Sequence, residues 1–162
     1  MTDQINIRNI QQSDNPTLAK IIRAVFVEHD APTAGTVFVD PTTDALFELF
    51  QTPKAELWTA ELNGEIVGCC GIYPTDNLPK GCVELVKFYL AKAARGKGIG
   101  RLLMEKSIEV AKDYGFTEMY IESLPAFAKA VNIYEKAGFT HLQNPLGNSG
   151  HTGCNIWMIK EL

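Results

Sequence analysis

The sequence lacks several features that mark other classes of protein. Its four cysteines include no Cys-x-x-Cys pair and its three histidines are scattered, so no spacing typical of a zinc site is present. No apolar run approaches the ~20 residues of a membrane-spanning helix. The N-terminal residues have neither the basic nor the apolar part of a signal peptide. These absences predict a cytoplasmic protein with free thiols, no metal and no membrane association.

A strongly basic surface is absent as well. The formal net charge is −4, and no stripe of Lys and Arg is available to neutralise phosphates, so no nucleic-acid partner is expected. The chain of 162 residues is 46% hydrophobic and 21% charged, which is ordinary for a soluble globular protein. We therefore expect a single domain over residues 1–162 that is large enough to bury a core.

A glycine-rich segment is present between a strand-like run and a helical pattern. Residues 95–100 read Arg-Gly-Lys-Gly-Ile-Gly and follow the apolar run 83–90. Three glycines in five residues remove the Cβ atoms that would keep backbone N–H groups from converging. A helix that begins there adds unpaired N–H groups and the positive end of its dipole. The segment therefore predicts a site for phosphate or pyrophosphate.

The spacing of the glycines distinguishes between three kinds of phosphate loop. No Walker sequence occurs. In a dinucleotide fingerprint the third glycine would fall at position 101, which is Arg101, although Glu122 lies where a ribose-binding acid would be. The third pattern, Arg/Gln-x-x-Gly-x-Gly/Ala, is met by Arg95, Gly98 and Gly100. In this respect the chain resembles the GCN5-related N-acetyltransferase (GNAT) family, whose loop binds the pyrophosphate of acetyl-coenzyme A.

A second motif strengthens the resemblance. Residues 125–139 resemble the family's later motif, a helix that ends in Tyr-Glu-Lys-x-Gly-Phe. Pro125 suits the first helical turn because its missing N–H costs nothing there. Gly138 suits the left-handed position just after a helix. The two motifs stand in the family's order, and the resemblance extends over roughly residues 55 to 162.

The hydrophobic pattern predicts a mixed α/β fold that agrees with this family. Apolar stripes and helix caps predict helices at 18–29, from Thr42 or Thr43 to about 50, at 98–114 and at 126–137. Alternation and turn residues predict strands at 4–8, 56–62, 66–72, 82–90, 117–123, 139–143 and 154–160. The fold implied is a mixed, mostly antiparallel central sheet of about seven strands with helices on both faces.

The resemblance implies that acetyl-coenzyme A is bound by two segments. In the family, the strand before the glycine loop carries a bulge that splays it from its neighbour, and its exposed main chain pairs with the pantetheine arm. The residues that the resemblance assigns to cofactor binding are Val86, Phe88, Leu90, Arg95, Gly96, Lys97, Gly98, Ile99, Gly100 and Arg101.

Two residues are candidates for catalysis. An alkylammonium with a pKa of ~10.4 is neutral in only about one molecule per thousand at pH 7, so transfer to an amine needs a base. Glu84 stands where the histone-type branch of the family has its glutamate, with Glu122 or a water chain as the alternative. Tyr134 matches the family tyrosine that protonates the leaving thiolate. One departure is Phe127, which occupies a position where many members carry Asn.

The acceptor cannot be identified from the sequence. By their position in the family, residues 26–50 and 144–154 shape the acceptor pocket, and His151 and Glu122 are candidates for binding the substrate. We expect transfer of acetyl directly to a primary amine of a small molecule or peptide, and the resemblance is compatible with a homodimer. Two alternatives stay open: a catalytically silent coenzyme A-binding module and a protein that binds ATP or NAD.

Overall fold

The computed structural model describes residues 2–162, within which seven strands form one sheet in the order β1-β2-β3-β4-β5-β7-β6. Every neighbouring pair is antiparallel except β4 and β5, which are parallel. The sheet is therefore mixed and mostly antiparallel, as predicted. The strands are β1 Ile5–Asn9, β2 Glu56–Leu62, β3 Glu65–Tyr73, β4 Cys82–Leu90, β5 Glu118–Ser123, β6 Thr140–Leu142 and β7 Ile156–Glu161.

Within the described residues 2–162, four α-helices cover the two faces of the sheet, close to where the apolar stripes predict them. They are α1 Asn15–Glu28, α2 Leu46–Leu49, α3 Ile99–Asp113 and α4 Ala128–Lys136. The prediction of a cap at Thr42 or Thr43 was wrong. Asp40 caps a 3-10 turn at Pro41–Asp44 by accepting from the N–H of Thr42, because its short carboxylate reaches that orphan donor. Every helix within residues 2–162 is too short or too polar to span a bilayer.

Two hydrophobic clusters lie on opposite faces of the sheet. On one face, α1 and α2 pack through Leu18, Phe26 and Leu46 against β2, β3 and the residue after β5. On the other face, α3 and α4 pack through side chains such as Leu103 and Tyr134. β4 is the fourth strand of the seven and pairs with β3 and β5, so burial of these apolar surfaces covers it on both faces.

β4 is bulged at Lys87. Cys69 and Gly71 of β3 lie opposite Tyr89 and Val86 of β4, so β4 contains one more residue than its partner over this stretch. The extra residue, Lys87, has a left-handed φ of 55°. β4 also pairs with β5 only at Cys82–Glu84. The bulge and the separation of the two strands leave a gap in the middle of the sheet.

The loop after β6 closes one end of that gap. The N–H of Gly153 donates to the carbonyl of Gly35 at 2.8 Å, and the N–H of Asn148 donates to the carbonyl of Asp76 at 2.7 Å. A Cβ on Gly153 would lie 2.5 Å from the carbonyl oxygen of Ala34, so glycine is needed for this close approach. Three loops that are separate in sequence thus meet through these two bonds.

Candidate functional site

A cavity of about 1000 Å³ occupies the gap between β4 and β5. It extends from the start of α3, past the side chains of β4, to the loop after β6. Of the residues that the sequence assigned to the site, Lys97 alone does not line it. The predicted residues that the cavity brings together are Glu84, Val86, Phe88, Leu90, Arg95, Gly96, Gly98, Ile99, Gly100, Arg101, Glu122, Tyr134 and His151.

The glycine loop has the backbone geometry of an anion site. Gly96 and Gly98 have φ values of 76° and 79°, in the left-handed region that favours glycine. Among residues 2–162, the N–H groups of Gly96, Lys97 and Gly98 have no backbone acceptor. Gly98 is also the N-cap of α3 and brings no side-chain cap, so the first N–H groups of the helix remain available. These unpaired donors, together with the dipole of α3, favour phosphate groups.

The three cations of this loop point in different directions. The guanidinium of Arg95 donates to the carboxylate of Glu28 and, at 3.0 Å, to the carbonyl of Leu90. Lys97 pairs with Asp3 at 2.8 Å. Arg101 is largely exposed beside Glu105. Main-chain groups are therefore the principal donors of the loop, and contributions of these side chains to ligand binding stay predictions.

The bulge of β4 exposes main chain to the cavity. Beyond Glu84 no residue of β5 pairs with β4, and Val86, Phe88 and Leu90 line the cavity. The carbonyl of Leu90 already accepts from Arg95. The main-chain groups of β4 that remain unpaired along this edge can form hydrogen bonds with an extended ligand, as they would with another strand.

Glu84 is a buried carboxylic acid with few partners. Its side chain accepts a hydrogen bond from the Thr75 hydroxyl at 2.6 Å, and the residue is 5% exposed. Burial, with a smaller contribution from the charge of Glu122, raises the pKa of Glu84 to about 7, although the bond from Thr75 opposes the shift. A carboxyl group with this pKa can accept and release a proton near neutral pH.

Tyr134 brings a phenol to the same cavity from α4. The residue is 5% exposed, and its ring lies 5.8 Å from the ring of Phe88 and 6.0 Å from that of Phe139. Burial raises the pKa of Tyr134 above its usual value. The phenol is therefore protonated at neutral pH and has a proton to donate.

His151 and Glu122 are linked through Ser149 at the far end of the cavity, because the Ser149 hydroxyl accepts from the N–H of His151 and donates to Glu122. His151 Nε2 lies 2.7 Å from Asp40 Oδ2. Although desolvation opposes it, hydrogen bonds from His151 and Thr42 lower the pKa of Asp40 to about 2. Glu122 accepts from the hydroxyls of Tyr120 and Ser149. Both candidates are thus held in place, and their roles toward a substrate stay predictions.

Phe127 belongs to an aromatic cluster. Its ring meets that of Phe26 edge to face at 5.1 Å and lies 5.8 Å from the ring of His29 and 6.3 Å from that of Tyr89. Phe127 therefore forms an apolar wall between α1 and β4, where an asparagine would offer a polar contact.

Lys87 lines the cavity, and Asp40 and Thr75 bond to residues that line it; sequence reasoning missed all three. The sequence signal for Lys87 is its charge in a mostly apolar strand. A regular alternation of side chains between the two faces of the sheet does not explain that charge. Asp40 and Thr75 lie in loops with no motif and come to the site through contacts between distant segments. Within residues 2–162, no group of three or more His, Cys, Asp or Glu side chains is arranged to hold a metal ion.

Two glycines permit a matched test of the loop. Gly98 and Gly115 have φ values of 79° and 88°, and a Cβ at either would contact nothing within 4 Å. We expect Gly98→Ala and Gly115→Ala to lower the free energy of unfolding by a similar amount, about 1 kcal/mol, because both place alanine in the left-handed region. Only Gly98→Ala should raise the Kd of acetyl-coenzyme A, by about tenfold, in calorimetric titrations. Equal affinities in the two variants would contradict a ligand role for this loop.

Comparisons with known proteins agree with this geometry. Residues 22–139 match the model of the acetyltransferase (GNAT) family. The chain is 34% identical over 157 residues to an Escherichia coli K12 protein named "Uncharacterized N-acetyltransferase YjgM", which corresponds to 96% of this chain and 94% of that protein.

Solved structures share the fold. An acetyltransferase of the GNAT family from Staphylococcus aureus Mu50 superposes with a TM-score of 0.87 at 21% identity, over 98% of this chain and 99% of that one. The acetyltransferase yncA from Salmonella typhimurium, solved with its cofactor acetyl-CoA, has a TM-score of 0.75 at 21% identity, over 98% and 94% of the two chains. The predicted fold is therefore confirmed.

Proposed function

Because the chain belongs to the GNAT family of acetyltransferases, we propose that it transfers the acetyl group of acetyl-coenzyme A directly to a primary amine of a small molecule or peptide. The observation that carries the proposal is that Glu84, Tyr134 and the glycine loop all line one cavity. A cytoplasmic location, a homodimer and a single domain over residues 1–162 belong to the same proposal.

The residues present fit acetyl-coenzyme A. The unpartnered N–H groups of Gly96, Lys97 and Gly98 form a cradle for its pyrophosphate. The free edge of β4 at Val86 and Phe88 offers main-chain groups to its pantetheine arm. Bound there, acetyl-coenzyme A supplies a thioester whose acetyl group is activated toward attack by an amine.

Glu84 and Tyr134 divide the proton transfers between them. The carboxylate of Glu84 accepts a proton from the acceptor amine, directly or through a water, so that the nitrogen lone pair can form the new C–N bond. The C–S bond of the thioester breaks, and the phenol of Tyr134 donates its proton to the departing sulfur. The second proton that the acceptor nitrogen loses on forming the amide passes through water to restore the phenol. Holding both reactants in one cavity supplies a further part of the acceleration.

Thermal unfolding with added ligands tests the proposed co-substrate. Acetyl-coenzyme A at 100 times its Kd should add about 2.7 kcal/mol of stability and raise the Tm by about 5 to 10 °C. Coenzyme A should act similarly, whereas ATP and NAD should not. An amine panel is then assayed for acetyl transfer. A shift without transfer to any amine would contradict the enzymatic proposal and favour the catalytically silent coenzyme A-binding module.

A further inference from the structure

Lys87 is unusual in both conformation and burial. It is the bulge residue of β4, its φ is 55°, and it is 7% exposed. A left-handed conformation is unfavourable for a residue with a Cβ. Lysine is also among the residues least often buried without a partner. Two unfavourable features at one cavity-lining position indicate a functional constraint.

The ammonium group of Lys87 has no hydrogen-bond partner in the described part of the chain. Its main-chain carbonyl accepts from the thiol of Cys69, but no hydrogen bond or ion pair to Nζ occurs among residues 2–162. No fully buried side-chain nitrogen or oxygen of these residues lacks a partner, so Nζ keeps access to the cavity and its solvent. Desolvation lowers the pKa of Lys87, while the charges of Asp40 and Glu84 oppose the shift. An ammonium that is largely removed from bulk water is unfavourable unless water or a ligand in the cavity supplies its hydrogen bonds.

The neighbouring acidic groups are already engaged. Asp40 is bonded to His151 and to Thr42, and Glu84 is bonded to Thr75. Lys87 therefore keeps three N–H donors for a molecule that enters the cavity. An acceptor that carried only a positive charge would be repelled by this ammonium. An acceptor that also carries an anion would be attracted to it.

Two opposite charges thus face the acceptor end of the cavity, with Glu84 and Lys87 three positions apart on the bulged strand. This arrangement matches a zwitterion, whose amine would lie toward Glu84 and whose carboxylate would lie toward Lys87. Resting on the proposed amine acetylation, we propose that the acceptor is a free amino acid and that Lys87 binds its carboxylate. A peptide N-terminus lacks that neighbouring carboxylate and would be a poor acceptor.

The first test compares each of the twenty L-amino acids with its amide, which keeps the amine and the side chain but removes the charge. In Lys87→Met, kcat/KM for the preferred acid should fall by about 10- to 100-fold, because a hydrogen bond to a charged group is lost. The value for its amide should change less than about threefold. The ratio of the change in kcat/KM for the acid to the change for its amide cancels the intrinsic reactivity of the amine. Lys87→Arg should retain most of the preference for the acid.

Lys54→Met is a matched control. Lys54 also has a left-handed φ, 64°, but it is exposed and away from the cavity. The Lys54→Met substitution should leave kcat/KM unchanged for both the acid and its amide. Thermal shifts with coenzyme A establish that each variant is folded and binds the co-substrate. An acid-to-amide ratio that is the same in wild type and Lys87→Met would overturn the proposal for Lys87 while leaving amine acetylation intact.

A binding measurement does not depend on turnover. N-acetyl-L-amino acids and their amides are titrated calorimetrically into the protein saturated with coenzyme A. The acids should bind at least about tenfold more tightly than the amides in wild type, and this difference should vanish in Lys87→Met. If the acids bind in this way but no amine is acetylated, the proposed function fails and the anion site stands. If no acid binds through Lys87, the anion site is refuted.

Discussion

Tyr134→Phe is expected to lower the single-turnover rate of acetyl transfer by about 100-fold or more, the usual contribution of a positioned general acid. The change removes only the hydroxyl, and the ring contacts with Phe88 and Phe139 remain. The Kd of acetyl-coenzyme A should therefore change less than about twofold. Rapid-mixing measurements of the transfer step, with calorimetry for the Kd, separate these two effects.

Tyr114→Phe is the matched control for the loss of a hydroxyl. The Tyr114 hydroxyl donates to Glu56, and the residue lies outside the cavity, so the transfer rate should be unchanged. An unchanged rate in Tyr134→Phe as well would remove the acid role from Tyr134. The departing sulfur would then take its proton from solvent.

Glu84→Gln is expected to lower kcat/KM by about 100-fold or more at pH 8 and to change its pH dependence. In wild type, the pKa of Glu84 is about 7, so the fraction of Glu84 able to accept a proton should fall about tenfold per pH unit below that value. The limb of the profile with a pKa near 7 should disappear in the variant. Steady-state assays between about pH 5.5 and about pH 9 measure this limb of the profile.

Glu122→Gln distinguishes the alternative base. Glu122 lines the same cavity but is bonded to Tyr120 and Ser149. If Glu84 is the base, Glu122→Gln should retain the acidic limb of the profile. Loss of that limb in Glu122→Gln, with its retention in Glu84→Gln, would assign the role to Glu122 instead.

Glu84→Gln should also make the protein more stable at alkaline pH. Burial raises the pKa of Glu84 from 4.5 to about 7, so the folded state holds its proton more tightly than the unfolded state. The contribution of protonated Glu84 to the free energy of unfolding is therefore fully present below pH 4.5 and is lost as the pH rises from there to about 7. The loss is about 3 kcal/mol for a shift of this size. Urea unfolding should show similar stabilities at low pH and a more stable Glu84→Gln at pH 8, about one unit above the pKa.

The sequence predicted most of the fold because the elements that frame the site have strong local signals. The stripe in α1 and the Asn63-Gly64 turn of the β2–β3 hairpin are determined by nearby residues. The start of α3 follows from Gly98, which the chain needs in a left-handed conformation. The N-cap at Asp40 was missed because three capping residues compete within four positions.

The candidate site was predictable where its residues lie within motifs. Glu84, Tyr134 and all of the glycine loop except Lys97 line one cavity. Lys87 could not be placed, because a one-residue bulge decides to which face of β4 a side chain points. The pairing of His151 with Asp40 spans 111 positions along the chain, and no local pattern encodes a contact of that kind.

The backbone hydrogen bonds between Gly153 and Gly35 and between Asn148 and Asp76 have a consequence for the order in which the molecule loosens. They tie together segments that lie far apart in sequence, whereas the glycine loop is flanked by β4 and α3, its direct neighbours in sequence. Regions held by few bonds open at lower free energy than a sheet does. The wall that faces the acceptor is therefore expected to exchange its amide protons faster than β4 and α3 do, which hydrogen exchange measures.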